Sequence, residues 1–160
     1  FKADSIKDLD RKRAKCLDDI DVYAWAVAAN ALNPIPGVDV SFDLAAFYKM
    51  AKEIRESFGL DETVIEKYMT VLGPVGKKLA DEVLAYLTKE GIMWVIKQIA
   101  GQYAKKQFVK YIPFVGQAVA ACAGFAMTKT LGSYYIDNCF ELAKEILEYE
   151  IMNNKNEMLK

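Results

Sequence analysis

The sequence predicts an all-α protein: a multi-helix bundle of about six helices with two Pro/Gly corners and a long C-terminal helix. Three observations predict it. Apolar residues recur at three- and four-residue spacing along most of the chain, the period of a helix with one buried face. No stretch alternates apolar and polar residues as a half-buried strand does. Two segments, Asn33-Pro34-Ile35-Pro36-Gly37-Val38 and Tyr111-Ile112-Pro113-Phe114-Val115-Gly116, each separate an incoming helical pattern from an outgoing one. Proline holds φ, lacks an N–H and drives the preceding residue out of the α region, while glycine takes whatever angle the turn demands. Pro34, Pro36, Gly37, Pro113 and Gly116 are therefore the structural corners.

The first helix opens at Ser5, paired with Asp8 as a weak cap, and runs to Leu32. Its first half mixes Lys7, Asp8, Asp10, Arg11, Lys12, Arg13 and Lys15, whereas its second half is nearly all apolar. Such a change predicts a helix that projects at its start and is buried at its end. A second helix, about Val40 to Phe58, carries the stripe Phe47, Met50, Ala51, Ile54 and Phe58. Gly59 stands where a left-handed C-terminal cap belongs, with Leu60 as its hydrophobic contact. Asp61 starts a short third helix, about Glu62 to Val71.

A fourth helix is predicted from Val75 to Lys89, with Leu79, Val83, Tyr86 and Leu87 inward. Gly91 separates it from a fifth, Ile92 to Lys110, that uses Ile92, Val95, Ile96, Ile99 and Tyr103. The last helix follows the second corner and ends near Ile151, about 37 residues and about 55 Å if unbroken. Gly132-Ser133 is its natural place for a kink.

A chain of 160 residues fits one domain, residues 1–160, and 53% hydrophobic with 27% charged residues is globular rather than disordered composition. The formal net charge of −1 provides no global field for nucleic acid, so no nucleic-acid partner is expected. Three scattered cysteines, Cys16, Cys122 and Cys139, have no CxxC spacing and fit a reduced, cytoplasmic compartment. Histidine is absent, which removes imidazole acid/base chemistry, His-activated nucleophiles and His metal ligands. No catalytic, cofactor-binding or metal-binding residue is assigned.

Four features invite functional readings. Gly73-Pro74-Val75-Gly76-Lys77-Lys78 looks like a phosphate loop, but Val71 and Lys78 stand where that motif needs Gly and Ser/Thr, so a helix-connecting turn is the expectation. Small residues recur at Gly116, Ala120, Gly124, Thr128 and Gly132, either for close helix packing or for a membrane hairpin around the second corner. In the packing reading, Gly124→Leu is expected to destabilise the domain. Trp94, Lys97, Lys105, Lys106 and Lys110 lie in an acid-free basic and aromatic stretch, which is a solvated face or a lipid-facing one. Asp18, Asp19 and Asp21 form the densest acidic cluster and read as surface charge.

The order of features also carries a resemblance. Asp10-Arg11-Lys12-Arg13-Ala14-Lys15 leads into an apolar Trp/Ala segment and the first corner. Ser57-Phe58-Gly59-Leu60-Asp61-Glu62-Thr63 and the second corner follow. This resembles the C-terminal helical domain of the immunity-related (interferon-inducible, IRG family) GTPases, best from about Asp10 to Val71 and from Tyr111 to Leu147. The resemblance implies that the chain is the C-terminal part of a longer GTP hydrolase. The nucleotide-binding domain, with its GTP and Mg, would lie before Phe1. It also implies a scaffold or interaction role in cell-autonomous innate immunity. The expected partners are that nucleotide domain, other copies of the chain, and intracellular membranes in peripheral association. The alternative is a stand-alone membrane-associating helical protein, similar to EcsC-like proteins, with no GTPase partner.

Overall fold

The structure, a computed structural model, describes residues 3–32, 44–88, 90–92, 94–95 and 116–160, with side chains over 3–26, 47–88, 90–92, 94–95 and 128–160. Among the described residues the fold is all-α, with six helical segments. They are α1 (Ile6–Leu32), α2 (Leu44–Ser57), α3 (Glu62–Met69), α4 (Gly73–Ala85), α5 (described at 90–92 and 94–95) and α6 (Gly116–Met158). Among the described residues there is no strand. The corner residues Pro34, Pro36, Gly37 and Pro113 lie outside the described residues, while Gly116 is the first residue of α6.

The local signals act as their chemistry demands. Ser5 Oγ accepts the Asp8 N–H at 3.2 Å to open α1, and Asp61 Oδ1 accepts the Val64 N–H at 2.8 Å to open α3. These side chains satisfy donors that a helix start leaves unpaired. Gly59 has φ +69. Its N–H donates to Glu56 O at 3.0 Å and the Leu60 N–H to Arg55 O at 2.9 Å, the paired bonds of a Schellman cap. Leu60 is fully buried beneath this cap.

Several boundaries and faces differ from expectation. The α3 helix ends at Met69, two residues early, and α4 begins at Gly73 with Pro74 in its first turn. Proline is tolerated there because its missing N–H has no intrahelical partner to lose. The inner face of α4 is Gly76, Ala80 and Val83, with Leu79 and Leu87 only half-buried. Small residues bring α4 close to its neighbours, so Leu79 is left beside the contact. The α4 helix ends at Ala85 rather than near Lys89; a turn at 86–88 follows, and Gly91 lies in the first described turn of α5. The α6 helix is 43 residues, about 64 Å. Helical backbone continues through Gly132-Ser133, where Gly132 packs closely against Ile20.

The core is organised around α6. Over residues 131–147 its apolar side chains cover a wide arc and meet α1, α2 and α4. Arg13 meets Asp137 and Asp21 meets Lys129, so α1 and α6 run antiparallel. The described part of α1 does not divide as expected: Leu9 and Cys16 of its charged half are buried along with Ile20 and Ala24 of its apolar half, whereas Val22 and Trp25 of the apolar half are 70% and 67% exposed. One inward residue per turn suffices to seat the charged half, since its ionic neighbours remain at the rim.

Candidate functional site

The α1–α6 seam brings together more of the chemistry-bearing side chains than any other described region. Its tightest point is Gly132, the described end of the small-residue ridge. A Cβ there would lie 3.0 Å from Ile20 Cγ2. Thr128, one step earlier on the same ridge, is 1% exposed. Ala120 and Gly124 have helical backbone, but their side-chain surroundings lie outside the described residues. The ridge therefore serves close helix packing where it is described.

Ionic groups flank this contact. Arg13 donates from Nε at 2.9 Å and from Nη2 at 2.6 Å to Asp137 Oδ1, and its guanidinium stands 5.8 Å from the Phe140 ring centroid. Asp21 pairs with Lys129 at 2.9 Å. Lysine at position 129, an interruption in the apolar run, is thus the partner of one member of the acidic cluster. Asp18 and Asp19 are exposed, as surface charges should be. These half-exposed pairs contribute about 0–1 kcal/mol each and chiefly set register.

Beneath the seam lies a buried polar cluster that sequence reasoning missed. The Tyr86 and Tyr135 rings stack at 4.0 Å with an interplanar angle of 28°. Tyr135 donates its hydroxyl to Val83 O at 3.1 Å, and Arg55 Nη1 reaches the same hydroxyl at 3.5 Å. The Tyr86 hydroxyl has no hydrogen-bond partner among the described residues. Burial pushes the Cys139 thiol well above its ordinary range, against the opposing pull of the Arg55 guanidinium. Burial also raises the Cys16 thiol, against its hydrogen bond with Ser57. Both are protonated at neutral pH and poor nucleophiles, so they behave as small core residues. The Tyr135–Val83 bond joins residues 52 apart, and no local pattern marks such a pair.

Two tyrosine–glutamate bonds tie the periphery together. Tyr23 donates to Glu53 at 2.5 Å between α1 and α2, and Tyr68 donates to Glu150 between α3 and α6. Burial, reinforced by the Glu150 contact, pushes the Tyr68 hydroxyl up to about 12. Beyond that contact, residues 151–160 are all exposed, including Ile151, Met152, Met158 and Leu159.

The other predicted features are placed as follows. Gly73 to Lys78 form the first turn of α4, with no strand before them. Trp94 is 60% exposed, and Lys97, Lys105, Lys106 and Lys110 lie outside the described residues. Among the described residues no group of His, Cys, Asp and Glu could hold a metal, and no helix is long and apolar enough to cross a membrane. Comparison with family models, with curated proteins and with solved structures finds no match for this chain.

Proposed function

We propose that this chain is a helical scaffold and interaction domain of an IRG-like, dynamin-type GTPase. In this reading it packs against a nucleotide-binding domain and carries that domain's state to partners or to an intracellular membrane in cell-autonomous defence. The observation that supports a scaffold is the architecture of α6. Its segment 131–147 gathers α1, α2 and α4 into a body, and residues 151–160, the end of α6 and the two residues after it, stand clear with apolar side chains exposed. A long helix whose middle is rooted in a core and whose C-terminal turns are bare is suited to convey displacement between a body and a neighbour. The IRG assignment itself rests on the corner and Phe58-Gly59-Leu60-Asp61-Glu62 resemblance. GTP and Mg belong to the proposed nucleotide domain and to no residue of this chain.

The coding sequence upstream of Phe1 tests the parentage: a Gly-x-x-x-x-Gly-Lys-Ser segment in strand–loop–helix context is expected, and its lack overturns the GTPase reading. The scaffold reading is tested by calorimetry of this chain with that upstream domain loaded with GTP or GDP. Different affinities for the two states are expected. Tight GTP binding by this chain alone would sink the proposal.

A further inference from the structure

The outward stripe of α1 changes character at one level. Lys15, Asp18 and Asp19 are exposed, as a face turned to water should be, but Val22, Trp25 and Ala26, the next turns of the same stripe, are exposed as well. The change falls at Asp21, the last charge of α1, and Asp21 pairs at 2.9 Å with Lys129, the first charge of α6. Beyond that pair neither helix is charged. No Asp, Glu, Lys or Arg occurs from Val22 to Val38, and none from Tyr111 to Thr128, in a sequence that is 27% charged.

The antiparallel seam brings these two runs to one pole of the bundle. Arg13 meets Asp137, Ile20 meets Gly132 and Asp21 meets Lys129, a register that carries Leu32 level with about residues 118–120 of α6. Single exposed apolar residues are ordinary. Two adjoining helix ends without a charge, with a valine and a tryptophan turned outward at their border, are not. A protein partner takes about one hydrogen bond per 100–200 Å² and a polar rim. Asn30, Asn33, Gln117 and Thr128 are the only side-chain amides and aliphatic hydroxyls in both runs. Tyr23, Trp25 and Tyr111 are instead the ring types enriched where a membrane meets water. From Val22 to Leu32 the helix rises about 16 Å, about half of a hydrocarbon core of about 30 Å. That length enters one leaflet and does not cross, in keeping with the lack of a crossing helix among the described residues. Asp21 and Asp39 bound one run, Lys110 and Lys129 the other, so the border has no net charge.

We propose that the uncharged pole of the α1–α6 pair embeds in one leaflet of a lipid bilayer. The Asp21–Lys129 pair stays at the water level, and Val22 and Trp25 sit at the boundary between headgroups and acyl chains. Apolar burial drives the contact, since the border is neutral, so binding needs no anionic lipid and survives salt. The pole gives the membrane arm of the proposed function a surface and a depth, whether or not a GTPase domain precedes the chain.

Co-sedimentation of the chain with phosphatidylcholine vesicles tests it, and binding that persists in about 0.5 M sodium chloride is expected. Val22→Asp with Trp25→Asp lowers partitioning about tenfold, whereas Val75→Asp, at an equally exposed valine on α4, leaves it unchanged. All three positions are exposed, and unchanged circular-dichroism melts confirm that the variants are folded. Depth is read without a charge at the pole: in Trp94→Phe, Trp25 is the sole tryptophan. Its emission shifts to the blue on binding, and lipid brominated near the headgroup quenches it more than lipid brominated near the chain end. Failure of the wild-type chain to bind, equal binding by the double variant, or no quenching of Trp25 overturns the proposal. So does binding that requires phosphatidylserine and is lost in salt, which makes the contact electrostatic. An oligomer that the double variant dissociates in the absence of vesicles also overturns it, because the pole is then an interface between copies. An upstream frame without a phosphate loop leaves this inference intact, and failed vesicle binding leaves the scaffold reading intact.

Discussion

Substituting Gly132 tests the seam on which the fold depends. A Cβ built there meets Ile20 Cγ2 at 3.0 Å, Cδ1 at 3.2 Å and Cβ at 3.4 Å. Carbon pairs prefer about 3.5–4.0 Å, so Gly132→Ala requires Ile20 to give by a few tenths of an ångström. Ile20 is 1% exposed and β-branched, hence poorly able to swing. Alanine in mid-helix returns about 1 kcal/mol relative to glycine, which offsets most of that cost. Gly132→Ala should therefore melt within about 3 °C of wild type. Gly132→Leu directs three further carbons at the same side chain. About 3 kcal/mol of overpacking less about 1 kcal/mol of helix propensity leaves about 2 kcal/mol of destabilisation. For a chain of this size that lowers the melting temperature by about 4–8 °C. Ile20→Ala alone should cost about 2–5 kcal/mol. Combined with Gly132→Leu it should cost less than the sum by about 0.5–3 kcal/mol, since the leucine fills the space vacated. Calorimetric melts of the four proteins measure this coupling. Strict additivity, or a Gly132→Leu protein that melts like wild type, would show that α1 and α6 do not meet at this point.

Other outcomes follow from the same contacts. Tyr86→Phe should leave stability unchanged or raise it by about 1–3 kcal/mol by removing a buried hydroxyl that has no partner among the described residues. Tyr135→Phe should lower it by about 0.5–1.5 kcal/mol through loss of the Val83 bond; denaturant titration of the pair checks the contrast. Asp61→Ala removes the α3 cap and should cost about 1 kcal/mol in the same assay. The Tyr68 hydroxyl titrates at about 12 when folded against an ordinary value of 10.0, so the unfolded chain releases its proton first as pH rises. Its contribution is complete below pH 10 and falls away between about pH 10 and 12. Tyr68→Phe should flatten that alkaline decline; a variant whose stability falls as steeply as wild type there would refute it.

Local physics made much of the fold legible in the sequence. The stripe Phe47, Met50, Ala51, Ile54 and Phe58 is buried as its spacing requires, because a 3.6-residue period specifies a helix face without knowledge of what covers it. The caps at Ser5, Gly59 and Asp61 act within six residues of chain, so sequence neighbours contain all the information they need. The small-residue ridge was legible as a contact, and Gly132 realises it, but the sequence did not name Ile20 as the partner. The segment from Gly73 to Lys78 was legible as a turn rather than a phosphate loop, but the outward aim of Val71 and Val75 was not.

The sequence by itself determined that the protein is helical, where α1 and α3 begin and α2 ends, and which stripe α2 buries, since backbone hydrogen bonding and side-chain period are settled within a few residues. Only the tertiary structure decided that the charged half of α1 lies in the seam, that Asp21 takes Lys129, and that Tyr86 stacks on Tyr135. Those choices depend on how helices distant in the sequence are set against one another. Register is a property of two surfaces fitted together, and neither strip of sequence contains it alone.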